Sequence, residues 1–153
     1  MTVRPYRLED LAAVLTLFQR SVHEVASRDY TPEQISAWAP DSPDVVRWST
    51  RLSNQSVFVC EDQHQIAGFA SVDSDGHLDL LYVHPDVQRQ GVASVLCAHI
   101  VQWATANNLE RLFTEASVTA RPFFESRGFS VVSSQLVQAR GVNMPRFRMV
   151  LAL

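Results

Sequence analysis

The chain has 153 residues, 46% of them hydrophobic and 19% charged, with a formal net charge of -3. That length buries about two-thirds of the unfolded surface in one domain without a disulfide or metal staple, so a single domain over residues 1–153 is expected. The lack of a basic excess argues against nucleic-acid or anionic-membrane partners, and the lack of any lysine excludes a Gly-Lys-Ser/Thr phosphate loop and a lysine Schiff base.

The first residues, Met1 to Pro5, carry no apolar signal run, and no stretch reaches the ~18 apolar residues of a membrane span, so a cytoplasmic protein is expected. Val3-Arg4-Pro5-Tyr6 reads as a short strand. From Leu8 onward Leu11, Val14, Leu15, Phe18 and Val22 recur at helical spacing. Thr31-Pro32-Glu33-Gln34 predicts a second helix, with threonine as cap, proline at the first position and glutamine closing a capping box. Ser42-Pro43-Asp44 predicts a third on the same logic, carrying Val45, Val46, Trp48 and Leu52.

The period then changes. Ser56 to Glu61, Ile66 to Val72 and His77 to Val83 are strand-like runs separated by polar turns, Asp62-Gln63-His64 and Asp73-Ser74-Asp75-Gly76, and together predict an antiparallel meander. A helix is predicted from Gly91 to Ala106, with Val92, Val95, Leu96, Ile100 and Trp103 on its inner face. Arg111 to Ala116 follows as a strand parallel to the third run, reached by a crossover. A short helix from Ala120 to Arg127 stops at Gly128 in a left-handed cap, and Ser130 to Gln138 and Phe147 to Leu151 complete the strands. Cys60 and Cys97 fall in unlike contexts with no metal or redox spacing, and read as buried thiols. No metal site is expected.

The segment from Val83 to Ser94 lies where a strand gives way to a helix. The first-turn amides there lack partners, the helix dipole adds positive potential, and Gly91 and Ala93 leave room for phosphate to approach the backbone. Gln88-x-x-Gly91-x-Ala93, after a strand ending Val83-x-Pro85, resembles the acetyl-CoA motif of the GNAT (GCN5-related N-acetyltransferase) family. Ala120-Arg121-Pro122-Phe123-Phe124-Glu125-Ser126-Arg127-Gly128-Phe129 is similar to a second landmark helix of that family, and the element order agrees over nearly the whole chain.

The resemblance implies a mixed α/β fold: a central, mostly antiparallel sheet of six or seven strands with a splayed parallel pair, flanked by helices. It implies an acetyl-CoA cosubstrate, with Leu81, Tyr82 and Val83 offering main chain to its pantetheine arm. Gln88, Arg89, Gln90, Gly91, Val92, Ala93 and Ser94 would take the pyrophosphate, and Ser117 would touch the arm. The family's frequent tyrosine acid falls at Phe124, which can pack near the sulfur and cannot give a proton. Water, Tyr30 or Tyr82 remain open for that task.

The implied reaction is acetyl transfer to a primary amine of a small molecule or peptide by direct attack in a ternary complex. The alternative is an acyl-CoA-binding module without turnover. An alkylammonium of pKa near 10.4 lies about three units from deprotonation at pH 7, roughly 4 to 5 kcal/mol, so a base is needed. Residues 77, 79, 81 and 83 share a strand face, and the family draws its base from positions matching His77 and Asp79. His23, Arg28 and Tyr30 fall in the stretch where the family faces its acceptor. His64, His84 and His99 read as structural or solvated. A homodimer is also implied.

Overall fold

The structure is a computed structural model covering residues 1–153. It contains β1 (Thr2–Pro5), α1 (Leu11–Glu24), α2 (Pro32–Trp38), α3 (Val45–Ser53), β2 (Ser56–Asp62), β3 (Gln65–Val72) and β4 (Leu78–Val83). The second half adds α4 (Val92–Ala106), β5 (Arg111–Ser117), α5 (Arg121–Ser126), β6 (Ser130–Ala139) and β7 (Val142–Ala152). The strands pair as two antiparallel sheets, β1-β2-β3-β4 and β5-β7-β6. The expected parallel pair shrinks to one bridge between His77 and Phe113, after which β4 and β5 part.

Two cores hold this arrangement. On one face α4 buries Val92, Leu96 and Ile100 against Ala70, Val72, Leu112 and Met149. On the other, α1 buries Val14, Phe18 and Val22 against Val59, Phe69 and Leu80. Each large apolar side chain so covered stabilises the fold by roughly 1.5–3 kcal/mol. The buried stripe of α4 includes Cys97 and Ala104 and leaves Val95 37% exposed, because Val95 lies off the line through residues 92, 96, 100 and 104. Gly68 sets how closely α4 sits: a Cβ there would meet Val92 Cγ1 at 2.7 Å and the Tyr82 carbonyl oxygen at 2.9 Å. That closeness brings the start of α4 to the end of β4.

The capping box of α2 forms as expected, Gln34 N donating to Thr31 Oγ1 (3.1 Å) and Thr31 N to Gln34 Oε1 (2.9 Å). The third helix starts later than predicted. Asp44, rather than Ser42, caps it, its Oδ1 accepting from Arg47 N at 3.0 Å, and Val45 and Val46 face solvent. The last strand starts earlier than predicted, at Val142, because Arg140 and Gly141 (φ 49° and 77°) turn β6 directly back. Residues 142–145 pair with β6 alone. On their other edge side chains stand in for a strand: Gln34 Nε2 donates to Asn143 O (3.0 Å) and the Tyr30 hydroxyl to Pro145 O (2.9 Å).

Candidate active site

The parting of β4 from β5 opens a gap through the sheet. Phe113 N donates to Gly76 O (2.9 Å) and Thr114 Oγ1 to Leu78 O (2.8 Å), so the strands are tied only where they begin. Further along, β4 keeps β3 on one side and has no strand on the other. The Val83 carbonyl accepts from Gln88 Nε2 at 2.9 Å, which marks Val83, and by alternation Leu81, as residues whose main-chain groups face the gap.

At the end of the gap the chain turns into α4. Arg89 and Gly91 adopt φ of 60° and 87°, and Gly91 serves as the left-handed N-cap residue with nothing within 4 Å of a would-be Cβ. The first backbone bond of the helix is Val95 N to Gly91 O, and none of the amides from Gln88 to Ser94 donates to a protein acceptor. Arg20 of α1 braces the loop, reaching Asp86 Oδ1 (3.2 Å) and His84 Nε2 (3.2 Å). The result is a row of bare N–H groups at a helix start, the arrangement that receives linked phosphates.

A cleft runs from this row into the gap. Leu81, Tyr82, Val83, Gln88, Arg89, Gly91, Val92, Ala93, Ser94 and Ser117 all line it, whereas Gln90 does not. Arg28, expected on the acceptor side, lines this cleft as well. Ser117 Oγ accepts from Ala120 N at 3.0 Å, and so shapes the turn into α5. Phe124, 3% exposed and packed edge-on to Phe129, forms part of the floor of the adjoining cavity of about 340 Å³ under β4 and β5.

His77 and Asp79 both line that cavity, but the face assignment from strand alternation needs correction. Ser71 pairs with Leu80 and Val72 with Leu78, so Asp79 is the extra residue of a bulge. Leu78, Leu81 and Val83 consequently pack with the α4 core, while Leu80 and Tyr82 pack with the α1 core. His77 and Asp79 fall on the side of Leu80 and Tyr82, away from Leu81 and Val83.

Their partners differ. Asp79 accepts two bonds from Arg51, Nε and Nη2 each at 2.8 Å, and one from Gln55 Nε2 at 2.7 Å. Burial pushes its carboxyl pKa up, but the Arg51 and Gln55 bonds outweigh that, and the net shift is downward. A carboxylate so engaged is a poor proton acceptor. His77 stacks on Phe113 (4.8 Å between rings), and its Nε2 lies 2.5 Å from Glu115 Oε2. Glu115 was not singled out from sequence, although Phe113, Glu115 and Ser117 alternate with the buried Leu112, Thr114 and Ala116 and so had to face the gap.

The remaining expected acceptor residues are occupied elsewhere. His23 lines neither of these spaces: its Nε2 lies 2.7 Å from the Ala39 carbonyl, joining α1 to the end of α2. The Tyr30 hydroxyl lines the cavity but is committed, accepting from Val118 N (2.9 Å) while donating to Pro145 O. Tyr82 differs. Its hydroxyl accepts from Trp38 Nε1 (3.3 Å), and burial, eased in part by that bond, pushes its pKa up to about 12, so it holds its proton at neutral pH. No group of three or more His, Cys, Asp or Glu is placed to hold a metal ion, and no helix is long and apolar enough to cross a membrane.

A family model described as an acetyltransferase (GNAT) domain matches residues 26–151. The chain is 37% identical over 147 residues to the uncharacterized N-acetyltransferase YafP of Escherichia coli, covering 96% of this chain and 93% of that protein. It is 24% identical over 153 residues to the peptidyl-lysine N-acetyltransferase YjaB of Salmonella typhimurium, covering 98% and 97%. A solved structure from Rhodopseudomonas palustris described as a GCN5-related N-acetyltransferase matches with a TM-score of 0.96 at 32% identity, over 99% of this chain and 95% of that one.

Proposed function

The chain belongs to the GNAT acetyltransferases, which take their acetyl group from acetyl-CoA, and we propose that it passes that group to a primary amine entering beneath α2 and α3. The observation that carries this reading is the row of unpaired amides from Gln88 to Ser94 opening onto the unpaired edge of β4. The row suits the pyrophosphate of CoA, and the Leu81–Val83 edge suits its amide-bearing arm, which hydrogen-bonds as an added strand would. Acetyl-CoA supplies an activated acyl group, and everything else asked of the site falls to the chain's own residues.

The proton of the incoming ammonium goes to the His77–Glu115 pair, which is close enough to act as one acid–base unit. Tyr82, protonated at neutral pH and at the junction of cleft and cavity, gives its proton to the departing thiolate in place of the family's tyrosine at Phe124. It then takes up the second proton, which the amine nitrogen sheds as the amide forms. Arg51 keeps Asp79 charged and fixed, so that Asp79 shapes the cavity and leaves proton transfer to its neighbour.

The test is release of free thiol from acetyl-CoA with a panel of amines, small and peptidyl. Amine-dependent release that falls in Tyr82→Phe and in Glu115→Gln is expected. CoA release equal with and without every amine, from protein that binds CoA, would remove the transfer reading and leave only a binding cleft.

A further inference from the structure

The acceptor side is basic in a chain that is acidic overall. The formal charge of the whole is -3, yet Arg47, Arg140 and Arg146 line the joined cavities between α2, α3 and the β6–β7 turn. The ion pairs of the protein involve Arg4, Arg7, Arg20, Arg51 and Arg121, and leave those three without a carboxylate. The local carboxylates are already engaged: Asp79 by Arg51, Glu115 by His77, and Asp44 as the cap of α3. The arginines lining this space outnumber its carboxylates, Asp44, Asp79 and Glu115, so an anion entering it meets a net positive charge. Arg140 and Arg146 are the members that form no ion pair and take no part in a helix cap.

Arg140 adds a second observation. Its φ of 49° lies in the left-handed region, which costs a side chain with a Cβ about 1–2 kcal/mol, at a hairpin position that Asn, Asp or Gly fills at lower energy. Strain of that kind held at a cavity rim points to a task for the side chain. Its Nη1 donates to the Ala37 carbonyl at 2.6 Å, which anchors the guanidinium between the turn and α2 with most of its donors left over. Opposite stands an aromatic wall: Phe18 lies 4.6 Å from Trp48 and 5.0 Å from Tyr82, and Trp38 lies 6.4 Å from Tyr82, ring centre to ring centre.

We infer that the acceptor is a primary amine that also bears a carboxylate, gripped by Arg140 in the positive field of Arg47 and Arg146, with its carbon body on the aromatic wall. The inference rests on the reading of this cavity as the acceptor side. A free amino acid and a lysine flanked by acidic residues offer the same chemistry, and the experiment separates them.

The first arm needs no turnover. Trp38 and Trp48 line the cavity, so tryptophan fluorescence of the full chain with CoA present is titrated with phenylacetate and with phenylacetamide. Phenylacetate should bind at least about tenfold more tightly, a preference lost in Arg140→Asn and partly kept in Arg140→Lys. Arg140→Asn relieves the turn and gives up the Ala37 bond, so its Tm should move by less than about 4 °C, which verifies the fold. Equal affinity for the two ligands in the native chain overturns the inference.

The second arm compares phenylalanine with phenethylamine, and a lysine peptide with glutamate flanks against one with glutamine flanks, as acetyl acceptors. The pair with the larger ratio in favour of its acidic member identifies the source. Turnover without preference in either pair overturns the inference and leaves acetyl transfer standing. No turnover at all, with phenylacetate still preferred, overturns both acetyl transfer and the acceptor assignment and leaves only a carboxylate-binding cavity at Arg140.

Discussion

The cleft at the start of α4 and the cavity beneath α2 and α3 meet at Tyr82 and Trp38, yet the first offers a row of main-chain amides and the second a set of side-chain groups. The cleft depends on unpaired amides from one continuous segment, Gln88 to Ser94, and so on backbone angle. The cavity depends on partners from separate elements: Arg51 of α3 with Asp79 of β4, Glu115 of β5 with His77, and Arg140 of the β6–β7 turn with Ala37 of α2. A site of the first kind tolerates changes of side chain and fails when the backbone cannot turn. A site of the second kind does the opposite. Donor binding and acceptor chemistry should accordingly be separable by mutation.

The widest separation is expected at His77. His77→Ala should lower kcat/KM for acetyl transfer by about 10²-fold or more while leaving CoA affinity unchanged by calorimetry. Glu115→Gln should match it, and the double variant should be little worse than either, because the two act as a unit. Asp79→Asn should cost less than about tenfold by the same criterion. A larger loss in Asp79→Asn than in His77→Ala would reverse the assignment.

Gly91→Val attacks the other side. A β-branched residue at φ 87° is strained whatever space surrounds it, so the loop should distort and CoA affinity fall by about tenfold or more. Phenylacetate binding to the free protein should persist. Loss of both together would mean that cleft and cavity are one cooperative unit and the comparison fails.

Gly68→Ala tests the support beneath the loop. The added methyl meets Val92 and the Tyr82 carbonyl, and overpacking of this kind costs about 1–3 kcal/mol, read as a lower Tm with CoA affinity falling alongside. An unchanged Tm would mean that α4 does not rest on β3 as tightly as 2.7 Å implies.

The smallest effect belongs to the Arg51–Asp79 pair, whose arginine side chain is 44% exposed and therefore screened. Its loss in Asp79→Asn should cost about 1 kcal/mol at neutral pH. Because the carboxyl pKa is lowered on folding, the contribution is fully present above the unfolded value near 4 and is lost as pH falls through the folded value. Denaturation of the two proteins should differ above about pH 5 and converge in acid. A difference that grows in acid would contradict that sign.

The same contrast governs what the sequence could reveal. Gln88, Gly91 and Ala93 are neighbours in the chain, and Thr31 with Gln34 closes a local box, so both features were readable in order. The element sequence followed from periodicity, with helix starts and strand lengths off by a few residues where Asp44 and the Arg140-Gly141 turn set them. Glu115 lies 38 residues from His77, Arg51 lies 28 from Asp79, and Arg140 lies 103 from Ala37, and periodicity carries no signal at such separations. The bulge at Asp79 moved His77 and Asp79 to the opposite face from Leu81 and Val83, since Leu-Asp-Leu-Leu reads the same with or without an extra residue. His23 looked available beside charged neighbours and is tied to Ala39.

Amide chemical shifts of the whole chain, followed during titration with CoA and separately with pantetheine, address the phosphate row most directly. CoA should move the amide signals of Gln88 through Ser94 well beyond the rest, and pantetheine, which lacks the diphosphate, should leave them nearly in place while shifting Leu81 and Val83. Saturation by CoA with those loop amides unmoved would contradict the account.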